Sequence, residues 1–392
     1  MTASANGATV DEAGLQHPRT LIISPAPLAR SPRARKQVVA LKGSHEMVTA
    51  SRGESPFPGI EHIRLPDVEQ RWGLLGRLLY LAALALRLYP LITWVSAQDE
   101  AIRRHLGDRH WDLVIAHDVQ TAAVAQQLKS RRRLVDLHEY APRQNEHSFA
   151  WRMLIAPYFR WILRGPVRRA DATTTVSQGI VDEYRREFDL DPTLIINATP
   201  YQDRTPTPVH TPIRLVHSGV PAVQRRLEVM IDAVVATSAD VTLDFFLVED
   251  QSPYMDSLRE RARGSDRIRF NKAVPYADLV QTLSDFDLGL SIFAPTTFNL
   301  AWCLPNKFFD YIQARLGVVV GPSPEMERLV DEYGLGTVLP DFEDASFTAF
   351  LDTLDVPTVA AWKAASAAHA HELSNETQIE VWNDLIDSLV GR

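Results

Sequence analysis

Residues 303–323 read CLPNKFFDYIQARLGVVVGPS. The apolar positions Phe308, Phe309, Ile312 and Leu316 recur at helical spacing, and GVVV then reads as a buried parallel strand. Pro305 stands where a helix begins, because a missing N–H costs nothing there. Asn306, Lys307 and Asp310 form a polar cluster inside this otherwise buried run. Lys307 and Asp310 are i, i+3 neighbours on one helix face, so a plain surface ion pair is the simplest reading. An amine and a carboxylate at the start of a helix, directly before a strand, also suit an anionic ligand that carries hydroxyls.

The same strand–helix alternation extends in both directions. LIIS (21–24), MVTA (47–50), DLVIA (112–116), LVDL (134–137), TTTV (173–176) and TLIIN (193–197) read as parallel strands. Helices are expected at Val119–Lys129 and Ile180–Phe188. ATPYQDRTPTPVHTP (198–212) interrupts the pattern, and its four prolines mark a stiff linker. Alternation then restarts with IRLVHS (213–218), LDFFLV (243–248), IRF (268–270), DLGLSIF (287–293) and LGVVVG. Helices are expected at Arg225–Val235, Ser252–Arg263, Tyr276–Leu283 and Pro324–Tyr333. The fold class is therefore α/β, with two Rossmann-like doubly wound domains facing a central cleft. The expected boundaries are a lead-in at 1–18, an N-terminal domain at 19–200, a linker at 201–212 and a C-terminal domain at 213–374. A last helix over 375–392 is expected to return to the N-terminal domain.

A chain of 392 residues exceeds the length at which one core usually splits, which agrees with two domains. Composition is that of a globular protein, with 45% hydrophobic and 23% charged residues. One cysteine, Cys303, excludes an internal disulfide and fits a reducing cytoplasm. The first twenty residues lack the basic and apolar regions of a signal peptide. Net charge is −8, but residues 1–200 hold 26 Lys/Arg against 21 Asp/Glu, whereas 201–392 hold 15 against 28. The basic half suits an anionic partner. Nucleic acid is not expected, since no reading motif is present and the chain is acidic as a whole.

In doubly wound sheets ligands bind beyond the carboxyl ends of the strands. His117 and Asp118 close one strand, and His138 and Glu139 follow another, so two His–acid pairs are placed to converge. Their spacing offers no compact set of three ligands, so no metal is expected. Arg30, Arg33, Arg35 and Lys36 crowd the loop and helix start after the first strand with no acid near them in sequence, which suits a phosphate. In the second half, HSGVPAVQRR places Gly219 at a strand end and Arg225 shortly after, where backbone and guanidinium could meet a diphosphate.

These segments resemble the GT-B glycosyltransferases, specifically the retaining family-4-like group. PNKFFDYIQARLGVV is similar to that group's P-x-K-x-x-E-Y-M-A-x-G-x-P-V segment, and DLVIAHD, DLHE, TTTVSQGI and GVPAVQRRLE follow in the family's order. The resemblance implies that Asp310 takes the place of the glutamate that binds the nucleotide ribose. It puts Lys307 and Arg225 near the donor phosphates, Gly219 beside them, and His117 at the reacting sugar. Asn306 and Asn299 join the donor side, and Ser177 lies near the cleft. Arg30, Arg33, Arg35, Asp118, His138 and Glu139 fall on the acceptor side. The sequence departs from the pattern at Asp310, a shortened glutamate, at Arg315 and Gly317, which replace a glycine and a proline, and at about Trp302, where the first glutamate of the family's E-x7-E pattern is missing.

The implied activity is transfer of a sugar from a nucleotide-sugar, a UDP- or GDP-sugar foremost, to a lipid-linked or saccharide acceptor in cell-surface polysaccharide or glycoconjugate synthesis, with retention. No cofactor is implied. A sugar-nucleotide 2-epimerase of the same fold and a non-catalytic GT-B binding module are the alternatives. Residues 71–95 (RWGLLGRLLYLAALALRLYPLITWV) are strongly apolar, but Arg77, Arg87 and Pro90 interrupt them, so an amphipathic face is expected rather than a spanning helix. Residues 151–169 carry five arginines and no acid, together with Trp151, Tyr158, Phe159 and Trp161. That combination suits an anionic membrane surface, and a cytoplasmic, peripheral location follows.

Overall fold

The computed structural model describes residues 17–67, 74–248 and 251–391. Most of the expected lead-in, and residues 71–73 of the apolar stretch, lie outside them. The chain divides into two compact units. The first runs to Ile195 and takes in Thr297–Asn299 and the residues from Ile379 onward. The second comprises Ile196–Thr296 and Leu300–Gln378.

The first unit is built on seven strands: β1 (Arg19–Ile23), β2 (Glu46–Arg52), β3 (Glu61–Leu65), β4 (His110–His117), β5 (Lys129–Asp136), β6 (Ala172–Thr175) and β7 (Thr193–Leu194). All pair in parallel, in the order β3-β2-β1-β4-β5-β6-β7. The order reverses direction beside β1 and β4, the position where doubly wound sheets bind ligands. β3 was not expected from the sequence. It is a half-exposed edge strand with polar residues at most positions, so it lacks the apolar run that marks the others. The helix expected at Val119–Lys129 shrinks to a 3-10 turn and Ala122–Ala125, because β5 already begins at Lys129.

The second unit carries β8 (Ile213–Gly219), β9 (Val241–Leu247), β10 (Ile268–Lys272), β11 (Leu288–Ser291), β12 (Gly317–Val320) and β13 (Gly336–Val338). They form a parallel sheet ordered β10-β9-β8-β11-β12-β13. The helix that opened the sequence reading spans Asn306–Gln313, and those at Tyr276–Leu283 and Pro324–Tyr333 match their expected bounds. The helix expected from Arg225 begins at Glu228, after a 3-10 turn over Val223–Arg225.

Two apolar clusters sandwich the second sheet. Leu215, Leu243, Phe245 and Leu290 lie in one, and Val216, Phe308, Ile312 and Val318 in the other. In the first unit Ile22, Val38, Leu113 and Ile115 form a core with Trp382 and Ile386 of the final helix, Asn375–Val390. At about 25 cal/mol per Å² these buried aliphatic layers are the main stabilising term in each unit.

The proline-rich segment before β8 has no regular structure and is nonetheless tied to the second unit. Gln202 N–H donates to Gln313, and the N–H and ring of His210 meet Asp287. Arg315 contributes most. It sits at φ 64°, the left-handed conformation that favours the glycine of the resembled motif. Its guanidinium donates to the carbonyls of Ile312 and Gln313 at the helix end, and to those of Gln202 and Arg204 in the strap. Those charged hydrogen bonds offset a backbone strain of about 1–3 kcal/mol.

Candidate functional site

Two clusters of functional side chains form, one at the strand ends of each unit. In the first unit the cluster is built on β4 and β5, whose last residues His117 and Asp136 are register partners. Asp136 is completely buried and accepts from Arg33, Gln37 and Thr174 at 2.6–3.0 Å. Arg33 also donates to the Ile195 carbonyl. The expectation that no acid lies near Arg33 is therefore corrected: its partner is 103 residues away in sequence. Arg30 and Arg35 remain exposed.

His117 Nδ1 lies 3.0 Å from His138 Nε2 and 3.3 Å from Asp136 Oδ2. The two His–acid pairs thus converge, in a triangle whose donor atoms all lie within 4.8 Å of one another. Sequence spacing did not disclose this compact set, since Asp136 belonged to neither pair. The donor set fits a hydrogen-bond network better than a divalent cation, because Asp136 already neutralises Arg33 and a cation would stand beside that guanidinium.

Burial alone would raise the Asp136 carboxyl, but Arg33 and the two histidines hold it well below the usual carboxylate range. Burial lowers His117. It would lower His138 also, but the hydrogen bond to Asp136 and the charges of Asp118 and Asp136 raise it on balance. His117 is fully enclosed and its Nε2 has no hydrogen-bond partner, whereas the side chain of His138 is 27% exposed. Asp118, at φ 65°, lies 3.8 Å from His138 Nδ1.

Asn299 stands in the first unit. Its carbonyl accepts the Tyr140 N–H at 2.8 Å, and its amide donates to Glu139 and to the Tyr140 carbonyl. Burial, then Asp118, raises the Glu139 carboxyl. Ser177 precedes the helix Gln178–Phe188 and is fully buried, with its hydroxyl unpartnered.

In the second unit the cluster surrounds the end of β8. Gly219 has φ 141°, and a Cβ there would lie 3.1 Å from Lys307 Nζ and 3.4 Å from an Arg225 guanidinium nitrogen. Two cations thus converge over one backbone glycine, and neither forms an ion pair with a carboxylate among the described residues. Lys307 Nζ instead lies 3.0 Å from His217 Nε2, while His217 Nδ1 donates to the Leu290 carbonyl. Burial, and then the Arg225 charge, hold the Lys307 ammonium well below its ordinary range, while burial and Lys307 do the same to His217. Lys307 and Asp310 take different partners: Asp310 is buried and accepts from Thr199 at 2.6 Å. Asn306 is exposed and accepts from Asn197.

Tyr311 fixes this cluster by accepting from Ser218 N–H and donating to the Leu290 carbonyl. Its ring lies so close to Gly289 that a Cβ there would come within 2.2 Å of it. His217 was missed in the sequence reading, although it directly precedes the Ser218–Gly219 turn. Cys303 donates to Leu300 O, and burial pushes its thiol up to about 11, which suits a packed residue rather than a nucleophile.

Three of the five arginines of 151–169 have acidic partners. Arg160 pairs with Glu187 at 2.7 Å, Arg164 with the same carboxylate at 3.8 Å and Arg168 with Asp189 at 2.9 Å, from the Gln178–Phe188 helix and its C-cap. The isolated stretch hid those partners. No helix among the described residues is long and apolar enough to cross a membrane.

Residues 29–197 match the model of the glycosyl transferase 4-like domain. No curated protein matches the chain by sequence. Among solved structures, a glycosyltransferase from Rickettsia africae is 10% identical, covers 95% of this chain and 99% of its own, and has a TM-score of 0.68. Sucrose-phosphate synthase from Thermosynechococcus elongatus is 13% identical with a TM-score of 0.69, covering 96% of this chain and 100% of its own. HepE from Anabaena, in complex with UDP and glucose, is 14% identical with a TM-score of 0.65, covering 95% and 100%. At such identities the likeness is one of fold. The domain match covers residues 29–197, and along nearly the whole length the chain has the GT-B fold.

Proposed function

We propose that the second unit holds the diphosphate of a UDP-sugar at Gly219, Lys307 and Arg225, and that the sugar passes with retention to a lipid-linked or saccharide acceptor on the first unit. The observation that carries this reading is the pair of cations converging over Gly219, neither of which forms an ion pair among the described residues. Burying a cation unpaired is costly, and an anionic ligand offsets the cost. In transfer, the bond from anomeric carbon to diphosphate oxygen breaks and its electrons leave on the diphosphate, where Lys307 and Arg225 stabilise the developing charge. The acceptor hydroxyl oxygen forms the new bond, and its proton passes to the departing diphosphate oxygen. Asp310, seated by Thr199, contributes the acceptor for the ribose hydroxyls. The UDP complexes of structural neighbours favour this base.

His117, closed off from solvent, acts by positioning His138, the exposed member of the pair. His138 is protonated more readily than an ordinary histidine and donates to the acceptor. A thermal-shift screen with UDP-, GDP- and dTDP-sugars tests the donor site. Ligand at about a hundredfold over Kd stabilises by about 2.7 kcal/mol, a shift of several degrees. The largest shift is expected with a UDP-sugar, and no shift with any of them overturns the reading. Incubation without acceptor separates transfer from epimerisation, since only an epimerase changes the sugar.

A further inference from the structure

We propose that a cavity in the first unit binds the hydrocarbon chain of a lipid-linked acceptor, an assignment that rests on the acceptor reading above and makes it specific. The cavity measures about 510 Å³. Pro25 follows β1, Leu65 ends β3 and Thr121 follows β4, so it lies at the carboxyl ends of the strands, where doubly wound sheets take their ligands. Ser96, Gln98 and Gln120 add polar groups to the wall, and most of the rest is aliphatic or aromatic, Ile102 and Phe159 among it. A saccharide site would present converging polar groups instead.

Among the described residues, the one carboxylate in the lining is Asp99. It is buried, and burial, opposed by Arg103 and Ser96, pushes its carboxyl up to about 7. A carboxyl poised to lose its charge is compatible with an apolar chain beside it. The cavity also reaches an exposed apolar surface. Leu81 lines the wall and is 47% exposed, and Leu78 on the same helix and Met153 on the neighbouring turn are exposed too. The two leucines belong to the segment read from sequence as amphipathic, and Met153 to the one read as suited to a membrane surface. Hydrocarbon entering from a bilayer meets apolar surface at the mouth and apolar walls inside.

Two lining residues connect the cavity to the His117 strand end. Gln120 and Thr121 line it directly after His117 and Asp118, and the Thr121 hydroxyl donates to the His117 carbonyl at 2.6 Å. A chain seated here places its polar head beside Asp118 and His138.

The test is calorimetric titration of the full chain with n-alkyl phosphates of increasing length below their micellar range, with inorganic phosphate as the headgroup control. UDP-glucose binding is measured in parallel, so that loss of the donor reading shows separately. Affinity is expected to rise about fourfold per methylene and then level off once the cavity is full. Ala97→Phe, which takes up part of the cavity, should bring the plateau to shorter chains while leaving UDP-glucose binding intact. Should that variant fail to fold, the wild-type plateau still decides. Absence of binding, a rise without a plateau as in surface adsorption, or a length dependence unchanged in folded Ala97→Phe overturns the proposal.

Discussion

Arg33 and Lys307 are both buried cations at the strand ends of doubly wound sheets, and the sequence offers both as anion ligands. Their surroundings differ. Arg33 forks onto Asp136 and has a carbonyl besides, so its charge is compensated within the protein. Lys307 faces Arg225 and a histidine, forms no ion pair among the described residues, and is offset only in part by the charge of Asp310. A buried charge that is fully paired holds the fold, and one left short of a partner marks where a ligand completes the pairing. The two halves of the molecule divide these roles.

The largest effect expected from this contrast is on stability. Arg33→Ala leaves Asp136 completely buried beside two histidines without its countercharge, which costs about 3–5 kcal/mol. At the scale of a unit of this size that is a fall in Tm of about 10 °C. UDP-sugar affinity, measured in the folded fraction, should be unchanged. A loss of under about 1 kcal/mol in a denaturant titration would show that Arg33 is not the compensating charge.

Lys307→Ala should do the opposite. Removing the ammonium relieves the repulsion from Arg225 but leaves His217 Nε2 without a donor, so global stability changes little, while donor affinity falls by about 1.5–3 kcal/mol, or ten- to hundredfold. Calorimetry with a UDP-sugar measures the second and thermal denaturation the first. If Lys307→Ala melted far below the wild type and bound donor normally, the two sites would have to exchange roles.

The alternation of apolar runs made the two parallel sheets legible, because strands covered on both faces are continuous in sequence. The edge strand β3 was not, since it is half exposed and polar. That Gly219, Arg225 and Lys307 lie together was readable because a glycine at a strand end and a lysine in a helix's first turn each carry a local signal. Side-chain partners across strands were hidden. Nothing adjacent to Arg33 shows Asp136, and nothing within 151–169 shows Glu187. His117 and His138 were found as strand-end residues, but which of them is enclosed depends on packing that sequence order does not express. Arg315 looked like a lost glycine. It is a replacement that keeps the left-handed backbone and adds a guanidinium to hold helix end and strap together.

The smallest effect sharpens the comparison most, because it is a fraction of a proton. In the free protein burial and Arg225 hold Lys307 well below its usual range, and burial and Lys307 hold His217 down as well. The two are 3.0 Å apart and titrate as a pair. A diphosphate against Lys307 supplies negative charge and raises the pair's proton affinity. Binding should then be accompanied by proton uptake at any pH between the depressed free values and the raised bound ones. The sign follows: affinity is greatest below the free values, declines as pH rises through that window, and flattens once the bound values are passed. A UDP-sugar is the suitable ligand, because its diphosphate is doubly esterified and takes no proton near neutrality. Calorimetry in two buffers of different ionisation enthalpy should give observed enthalpies that differ in proportion, with uptake of less than one proton per donor. Lys307→Arg, which cannot lose its charge, should leave only the contribution of His217. Buffer-independent enthalpies in the wild type would mean that Lys307 is already charged before the donor arrives, and that its compensation comes from the protein after all.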